Sequence, residues 1–295
     1  MWPVWVPSIL AYPPIYKWGS EALKQRVVAP VIRGEKICAL AITEPGGGSD
    51  VANIKTHAKR DSDHYVVNGS KIFITSGTRA DYYTVAVRTG DSGFSGISLL
   101  MIEKGTPGFS VGRNLKKTGW WASDTAELFF EDCRVPVDNL IGTENSGFYA
   151  IMSNFEMERL SLCIMANMTA QIAFEESLKY VKEHQAFGRP ISKFQVTRHK
   201  LAEMATEIEA SKEFTYRLAA KMAAGKSVIK EVSMAKNFAT NVSDRVTYDA
   251  VQLHGGMGYM REATVERLAR DNRILSIGGG TYEIMNEVIA KQLNL

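Results

Sequence analysis

The sequence lacks the features that mark membrane-spanning, secreted and nucleic-acid-binding proteins. No apolar run in its 295 residues is long enough to cross a bilayer, and the N-terminus has neither a basic flank nor a small-residue cleavage site. Its 35 basic and 32 acidic residues are dispersed, which leaves a net charge of +3 and no clustered basic surface. We therefore expect no membrane span, no signal peptide and no nucleic-acid partner.

Cysteine is scarce, and its placement predicts neither disulfide bonds nor a metal site. Cys38, Cys133 and Cys163 are odd in number, widely spaced and outside any metal-ligand pattern. Unpaired thiols are typical of reducing compartments, so we expect a cytosol-like environment and no bound metal.

The first residues are rich in tryptophan and proline. This composition suggests part of a larger apolar surface rather than a free tail. The residues concerned are Trp2, Trp5 and Trp18, among Pro3, Pro7, Pro13 and Pro14.

The hydrophobic pattern changes period near residue 145. Between about residues 36 and 137, short β-rich runs such as HYVVNG, KIFITSG and GISLLMIE are separated by breaks that contain glycine or aspartate. This pattern predicts an antiparallel barrel or sandwich. From about residue 147 the period is helical, and amphipathic helices with short connections predict a four-helix bundle. We place the helices at about 147–184, at about 196–224, from about 232 to the glycines of HGGMG, and from IGGGT to the C-terminus.

Two motifs have ordinary structural explanations. The G-x-S-x-G pattern at Gly108–Gly112 follows a turn inside the β-rich region, where we expect the start of a strand rather than a hydrolase nucleophile. His254 lies at the end of the third predicted helix, a place more typical of a capping or core histidine than of a catalytic base.

A carboxylate interrupts an apolar stripe on the first predicted helix. Burial raises the pKa of a carboxyl group, as a general base near neutral pH requires. By itself the stripe favours a core ion pair or a position at the rim of a helix pair, because structural ion pairs also perturb carboxylates. Successive spacings of four and three residues place five side chains on one helical face, namely Ile151, Phe155, Glu158, Leu162 and Met165.

A glycine-rich segment follows the first β-rich run. The segment LAITEPGGGSD, Leu40–Asp50, has three consecutive glycines, which allow a ligand to approach the backbone closely. A tight loop between strands would need the same residues. No Lys-Ser/Thr pair follows and no G-x-G-x-x-G pattern is present, so the segment is not a P-loop.

Six motifs in this order resemble the flavin-dependent acyl-CoA dehydrogenase family. They are LAITEPGGGSDVANIKT, VVNGSKIFITSG, ERL, AFGRPISKFQ, AVQLHGGMGY and RDNRILSIGGGTYEIM, and the resemblance covers about residues 13–295. It implies an α+β multidomain protein whose middle antiparallel β-barrel, residues 37–145, precedes a C-terminal four-helix bundle, residues 146–295. Residues 1–36 would be a remnant of the family's N-terminal helical domain. FAD would be held between barrel and bundle, partly by a neighbouring subunit.

The resemblance also implies site residues. Phe73 and Thr75 match the aromatic residue and the hydroxyl beside the flavin ring. For Glu156 and Arg159, a surface ion pair is a competing explanation. The positions that match substrate contacts are Ser49, Glu156, Arg159, Gly278 and Gly279. The positions that match cofactor contacts are Leu40, Thr43, Ser49, Phe73, Thr75, His184, Phe187, Gln195, Gln252, Gly256, Thr281 and Glu283.

Two departures from the family pattern bear on chemistry. His184 lies where many relatives carry an arginine that meets the FAD pyrophosphate, so FAD affinity could be weaker. Many relatives carry their catalytic glutamate in an I-Y-E-G-T segment, where this chain has Gly279. In the subset that resembles long-chain and isovaleryl-CoA dehydrogenases, the base comes from the ERL motif, which is Glu158 here.

The expected activity is α,β-dehydrogenation of a long or branched acyl-CoA to the trans-2-enoyl-CoA, as in fatty acid β-oxidation. Glu158 would take the α-proton, and electrons would pass through FAD to an electron-transfer flavoprotein. The resemblance further implies a homodimer or homotetramer in a bacterial-type cytoplasm or in the mitochondrial matrix. An acyl-CoA oxidase-like flavoenzyme and a non-catalytic truncated remnant are the alternatives.

Overall fold

The computed structural model describes residues 11–295, so Trp2, Pro3, Trp5 and Pro7 lie outside the described residues. The chain forms two compact units. The first comprises the residues up to Lys117 together with Trp121–Phe155, and the second comprises Thr118–Trp120 together with Glu156–Leu295.

The first unit begins with short helices and continues as a sheet. Helices α1 (Pro13–Trp18), α2 (Glu21–Leu23) and α3 (Ala29–Ile32) flank a π-helical turn at Lys24–Val28. The Ser20 side chain caps α2 by accepting a hydrogen bond from the Leu23 N–H at 3.2 Å. The strands are β1 (Cys38–Ala41), β2 (His57–Asp61), β3 (His64–Thr75), β4 (Tyr82–Arg88), β5 (Ile97–Glu103), β6 (Phe109–Asn114), β7 (Thr125–Pro136) and β8 (Leu140–Ile141). The G-x-S-x-G pattern therefore starts strand β6, as predicted.

The predicted β domain is present, but its sheet does not close into the predicted antiparallel barrel. The strands form one sheet with the order β6-β7-β3-β2-β4-β5-β8, and no ladder among residues 11–295 joins β6 to β8. Strand β8 has only two residues, too few to continue the sheet round to β6. The sheet is also mixed, because β1 pairs in parallel with β4. The long connection through β2 and β3 returns the chain beside β1 in the same direction.

Both faces of the central strands are buried, which explains why β4 and β5 read as continuous apolar runs. Along β5, Leu99 and Met101 pack in one core with Ile15, while Leu100 packs in a second core with Tyr83. A strand covered on both sides loses the alternation of polar and apolar residues that marks a half-exposed sheet.

From Gly147 the chain is mainly helical, and its residues from Glu156 onward belong to the second unit. Helices α4 (Gly147–Glu183), α5 (Gln195–Ala223) and α6 (Ile229–His254) are long, and α7 (Thr264–Asn272) and α8 (Tyr282–Gln292) are short. A hairpin of β9 (Gln185–Ala186) and β10 (Arg189–Pro190) separates α4 from α5. The four predicted helices are present, and α7 is an additional one that the sequence pattern did not predict. None of the described helices is long and apolar enough to traverse a membrane.

Candidate active site

Glu158 lies on α4 in the second unit, and its carboxyl group is enclosed by protein. The residue as a whole is half-buried, but its Oε2 is shielded from solvent and has no hydrogen-bond partner among the described residues. Burial raises the pKa of Glu158 to about 7, against the opposing charges of Arg159 and Lys236. A carboxyl group with such a pKa, free of a hydrogen bond, can exchange a proton near neutral pH.

The glycine turn at 278–280 borders this carboxyl group. A Cβ atom on Gly279 would lie 3.5 Å from Glu158 Oε1 and 2.8 Å from Leu162 Cδ1. Gly279 and Gly280 have φ angles of 65° and 100°, which favour glycine. Gly279, the position that the family resemblance matches to the base of many relatives, therefore lies beside Glu158.

Arg159 is buried and holds this turn rather than lying in a surface ion pair. Its Nε donates a hydrogen bond to the Gly279 carbonyl at 3.2 Å, and 6% of the residue is exposed. Burial lowers the pKa of Arg159, against the charges of Glu158 and Glu156. An arginine remains protonated under such conditions, so Arg159 supplies a fixed positive charge next to Glu158.

Lys236 is a member of the site that the sequence reasoning missed. It lies on α6, is completely buried, and donates from Nζ to the Gly280 carbonyl at 2.7 Å. A signal was present, because Lys236 follows Val232 by four residues and precedes Ala239 by three, which places it on the buried helical face. A buried lysine at such a position needs a partner.

In the first unit, a buried ion pair holds the glycine-rich segment. Lys71 Nζ donates to Glu44 Oε1 at 2.8 Å and to the Ile42 carbonyl at 2.9 Å. Glu44 also accepts backbone N–H bonds from Lys55 and Thr56 at 2.6 and 2.9 Å. Burial would raise the pKa of Glu44, but the charge of Lys71 and these hydrogen bonds outweigh it and lower the pKa. The loop next to Thr43 is thus fixed at its base.

Replacing Lys71 with methionine is expected to destabilise the protein by about 3 kcal/mol, because removal of one partner leaves a buried carboxylate without its countercharge. Urea unfolding of the FAD-loaded protein, followed by circular dichroism and flavin fluorescence, measures the change. Lys59→Met is the matched control, since Lys59 is exposed on strand β2 of the same sheet. The double variant Lys71→Met/Glu44→Gln should be more stable than Lys71→Met alone. Equal stability of Lys71→Met and Lys59→Met would contradict this role.

Two predicted flavin contacts present unusually exposed aromatic rings. Phe73, in the first unit, is 63% exposed with φ 60°. Phe187, in the second unit, is 95% exposed with φ 53° at the turn between β9 and β10. Left-handed backbone is uncommon for bulky residues, and it holds each ring out of its own core. Such rings fit contacts to a flat aromatic cofactor better than a role in packing.

The remaining predicted cofactor positions belong to separate parts of the two units. In the second unit, His184 stacks on Tyr180 at 4.9 Å between ring centroids, and Tyr180 stacks on His254 at 4.2 Å. His254 is buried, as expected of a core histidine.

The other predicted cofactor positions differ in exposure. The Thr281 hydroxyl caps α8 by accepting a hydrogen bond from the Ile284 N–H at 3.3 Å. Leu40, Thr43 and Thr75 are half-buried, whereas Ser49, Gln195, Gln252, Gly256 and Glu283 are exposed.

Two family models match this chain. Residues 39–133 match "Acyl-CoA dehydrogenase, middle domain", and residues 145–294 match "Acyl-CoA dehydrogenase, C-terminal domain". The chain belongs to the acyl-CoA dehydrogenase family. It is an FAD-dependent oxidoreductase, in agreement with the prediction from its motifs.

Relatives and solved structures agree with this assignment. The dehydrogenase is 41% identical to the long-chain specific acyl-CoA dehydrogenase, mitochondrial, of Sus scrofa over 97% of this chain and 67% of that protein. A crystal structure of a probable acyl-CoA dehydrogenase from Mycobacterium abscessus matches with a TM-score of 0.96 and 53% identity, over 97% of this chain and 76% of that one. An FAD complex of PigA matches with a TM-score of 0.95 and 30% identity, over 98% and 76%.

Proposed function

We propose that this dehydrogenase removes the α-proton and the β-hydride of an acyl-CoA thioester, with Glu158 as the base. The observation that carries the proposal is the position of Gly279, where a side chain would begin 3.5 Å from Glu158 Oε1. A family member without a carboxylate at 279 needs one in the same space, and Glu158 provides it.

The residues of the second unit support the proton transfer. Glu158 Oε2 has no hydrogen-bond partner among the described residues, so uptake of a proton there breaks no existing hydrogen bond. Enclosure by protein keeps water from competing for that oxygen, and Arg159 and Lys236 favour its ionised form. A backbone N–H near Gly279 would donate to the thioester carbonyl as negative charge develops on it. Bound FAD would supply the acceptor for the β-hydride, from which electrons would pass to a protein acceptor.

We propose the cofactor contacts that the family resemblance implies. The exposed rings of Phe73 and Phe187 would contact the aromatic parts of FAD, Phe187 that of a neighbouring subunit. Gln195, Gln252 and Gly256 would share this second role in a homodimer or homotetramer. Leu40, Thr43, Ser49, Thr75, His184, Thr281 and Glu283 complete the proposed FAD contacts.

The glycine turn favours long or branched acyl groups. Gly278 has no side chain, and a Cβ atom there would meet no atom closer than the Ile274 carbonyl oxygen at 3.5 Å. Gly279 places no side chain of its own beside Glu158. Ser49, Glu156 and Arg159 are the other proposed substrate contacts, and an electron-transfer flavoprotein is the proposed acceptor. We place the protein in a bacterial-type cytoplasm or in the mitochondrial matrix.

The test is an anaerobic titration of the purified FAD-loaded protein with straight and branched acyl-CoAs of increasing length. Long or branched substrates should bleach the flavin absorbance, and reoxidation should require an electron-transfer flavoprotein. Rapid reoxidation by oxygen alone would indicate an oxidase. Purification without FAD, or no bleaching with any acyl-CoA, would indicate a protein that does not catalyse this reaction.

The rate of flavin reduction is expected to rise with pH through about 7, because Glu158 accepts the proton only when ionised and its pKa lies at about 7. A stopped-flow series from about pH 5.5 to about pH 9 with substrate well below saturation measures the profile of the substrate-free protein. The acid limb should disappear from the residual rate of Glu158→Gln. A profile that is flat down to about pH 5 would contradict a buried base.

A further inference from the structure

Lys236 is a buried cation that neither the family motifs nor the proposed proton transfer requires. It is completely shielded from solvent, although lysine is among the residues most rarely buried. Its ammonium donates to the Gly280 carbonyl at 2.7 Å. Burying an ammonium group for one backbone hydrogen bond is unfavourable, because a neutral donor could make the same bond at lower cost. The charge itself therefore calls for an explanation.

Three titratable groups on α4 interact electrostatically with Lys236, namely Cys163, Arg159 and Glu158. Burial raises the pKa of the Cys163 thiol to about 12, so this thiol stays neutral near pH 7. Arg159 is a second cation. Of these three groups, Glu158 is therefore the one that offers Lys236 a negative charge. Burial lowers the pKa of Lys236 and raises that of Glu158, whereas the charge of each group favours the ionised form of the other.

The same lysine fixes the turn beside Glu158. Arg159 Nε donates to the Gly279 carbonyl at 3.2 Å, and Lys236 Nζ donates to the next carbonyl, that of Gly280, at 2.7 Å. Two cations on different helices thus hold consecutive carbonyl groups of a turn whose φ angles are both positive. Because a Cβ atom on Gly279 would lie 3.5 Å from Glu158 Oε1, the position of this turn determines how closely the carboxyl group is enclosed.

We propose that Lys236 is a positioning residue for Glu158, whose ammonium keeps the neighbouring carboxylate ionised and, through the Gly280 carbonyl, fixes the glycine turn beside it. The inference rests on the proposed role of Glu158 as the base. It assigns a share of the electrostatic stabilisation, beside that of Arg159, to a side chain on another helix, 78 residues further along the chain.

Lys236→Met separates the charge from the volume of the side chain. Loss of a nearby buried cation is expected to raise the midpoint of Glu158 ionisation by about one pH unit or more. The readout is the 13C signal of the carboxyl carbon in FAD-loaded protein labelled with [13Cδ]glutamate, in which the Glu158 resonance is identified by its loss in Glu158→Gln. The acid limb of flavin reduction should move to higher pH by the same amount. Lys230→Met, on the first turn of α6, should leave the midpoint unchanged.

Lys236→Gln distinguishes charge from hydrogen bonding, since glutamine keeps an N–H donor but carries no charge. It should shift the midpoint of Glu158 ionisation as Lys236→Met does. If Lys236→Met does not retain FAD, the same titration is made with Lys236→Gln. An unchanged midpoint in both variants would overturn the proposal for Lys236. Near-normal flavin reduction by Glu158→Gln would instead overturn the role of Glu158 as base, and the 13C titration separates these two failures.

Discussion

Glu158→Gln is expected to retain FAD and to lose flavin reduction by acyl-CoA by roughly 10²- to 10⁴-fold, the usual contribution of a general base. Glutamine fills nearly the same volume as glutamate, so the packing of α4 against its neighbours should survive. It cannot accept the α-proton, however, because its amide is not basic at neutral pH. The loss should therefore appear in the rate of bleaching and not in the amount of bound flavin.

Stopped-flow absorbance under anaerobic conditions measures this rate, with the visible spectrum of the purified variant as the check on FAD content. Glu176→Gln is the matched control, because Glu176 lies on the same helix with an exposed side chain. That variant should reduce its flavin at the normal rate. A Glu158→Gln protein that bleaches within a few-fold of normal would show that another group takes the proton.

The position of Glu158 could be predicted from the sequence because its signals are local. Spacings of four and three residues placed it on one face with Leu162, and that leucine is buried in the core of the second unit. The pattern did not show that the side chains of this stripe pack in two different cores. Ile151 packs in the core of the first unit, whereas Leu162 packs in that of the second. The stripe pointed to an enclosed carboxyl group, and the missing glutamate at Gly279 pointed to its use.

The features that escaped prediction depend on contacts between distant parts of the chain. Lys236 hydrogen-bonds a carbonyl 44 residues away, and nothing in its own helix identifies that partner. The parallel pairing of β1 with β4 similarly depends on where a long connection returns. Alternation within a strand shows which side chains are buried, but it does not decide whether a sheet closes. Local periodicity thus predicted the elements and the apolar face that carries Glu158, whereas the open sheet and the contacts of Lys236 required the three-dimensional structure.

The second large effect is expected when the base is moved to position 279. Gly279→Glu in the Glu158→Gln background would place a carboxylate beside the vacated site, because the new Cβ would lie 3.5 Å from the position of Oε1 at residue 158. The same Cβ would lie 2.8 Å from Leu162 Cδ1, closer than real Cβ contacts allow. The backbone at φ 65° adds strain of about 1–3 kcal/mol for a residue other than glycine. The double variant is therefore expected to be destabilised and to recover little activity.

Leu162→Ala should relieve the collision, but the lost packing should reduce the free energy of unfolding by about 2–5 kcal/mol. This loss is smaller where the new side chain at position 279 fills part of the cavity. The triple variant Glu158→Gln/Leu162→Ala/Gly279→Glu is expected to regain at least tenfold in flavin reduction over Glu158→Gln. Stopped-flow bleaching measures the recovery, and thermal unfolding of the FAD-loaded protein measures the relief of strain. Leu162→Ala/Glu158→Gln is the control, since it opens the same space without adding a carboxylate. Equal rates for this control and a folded, FAD-loaded triple variant would show that the two positions do not address the same proton. Recovery that requires both Leu162→Ala and Gly279→Glu would show that Leu162 and Gly279 together determine that the base lies on α4 rather than at position 279.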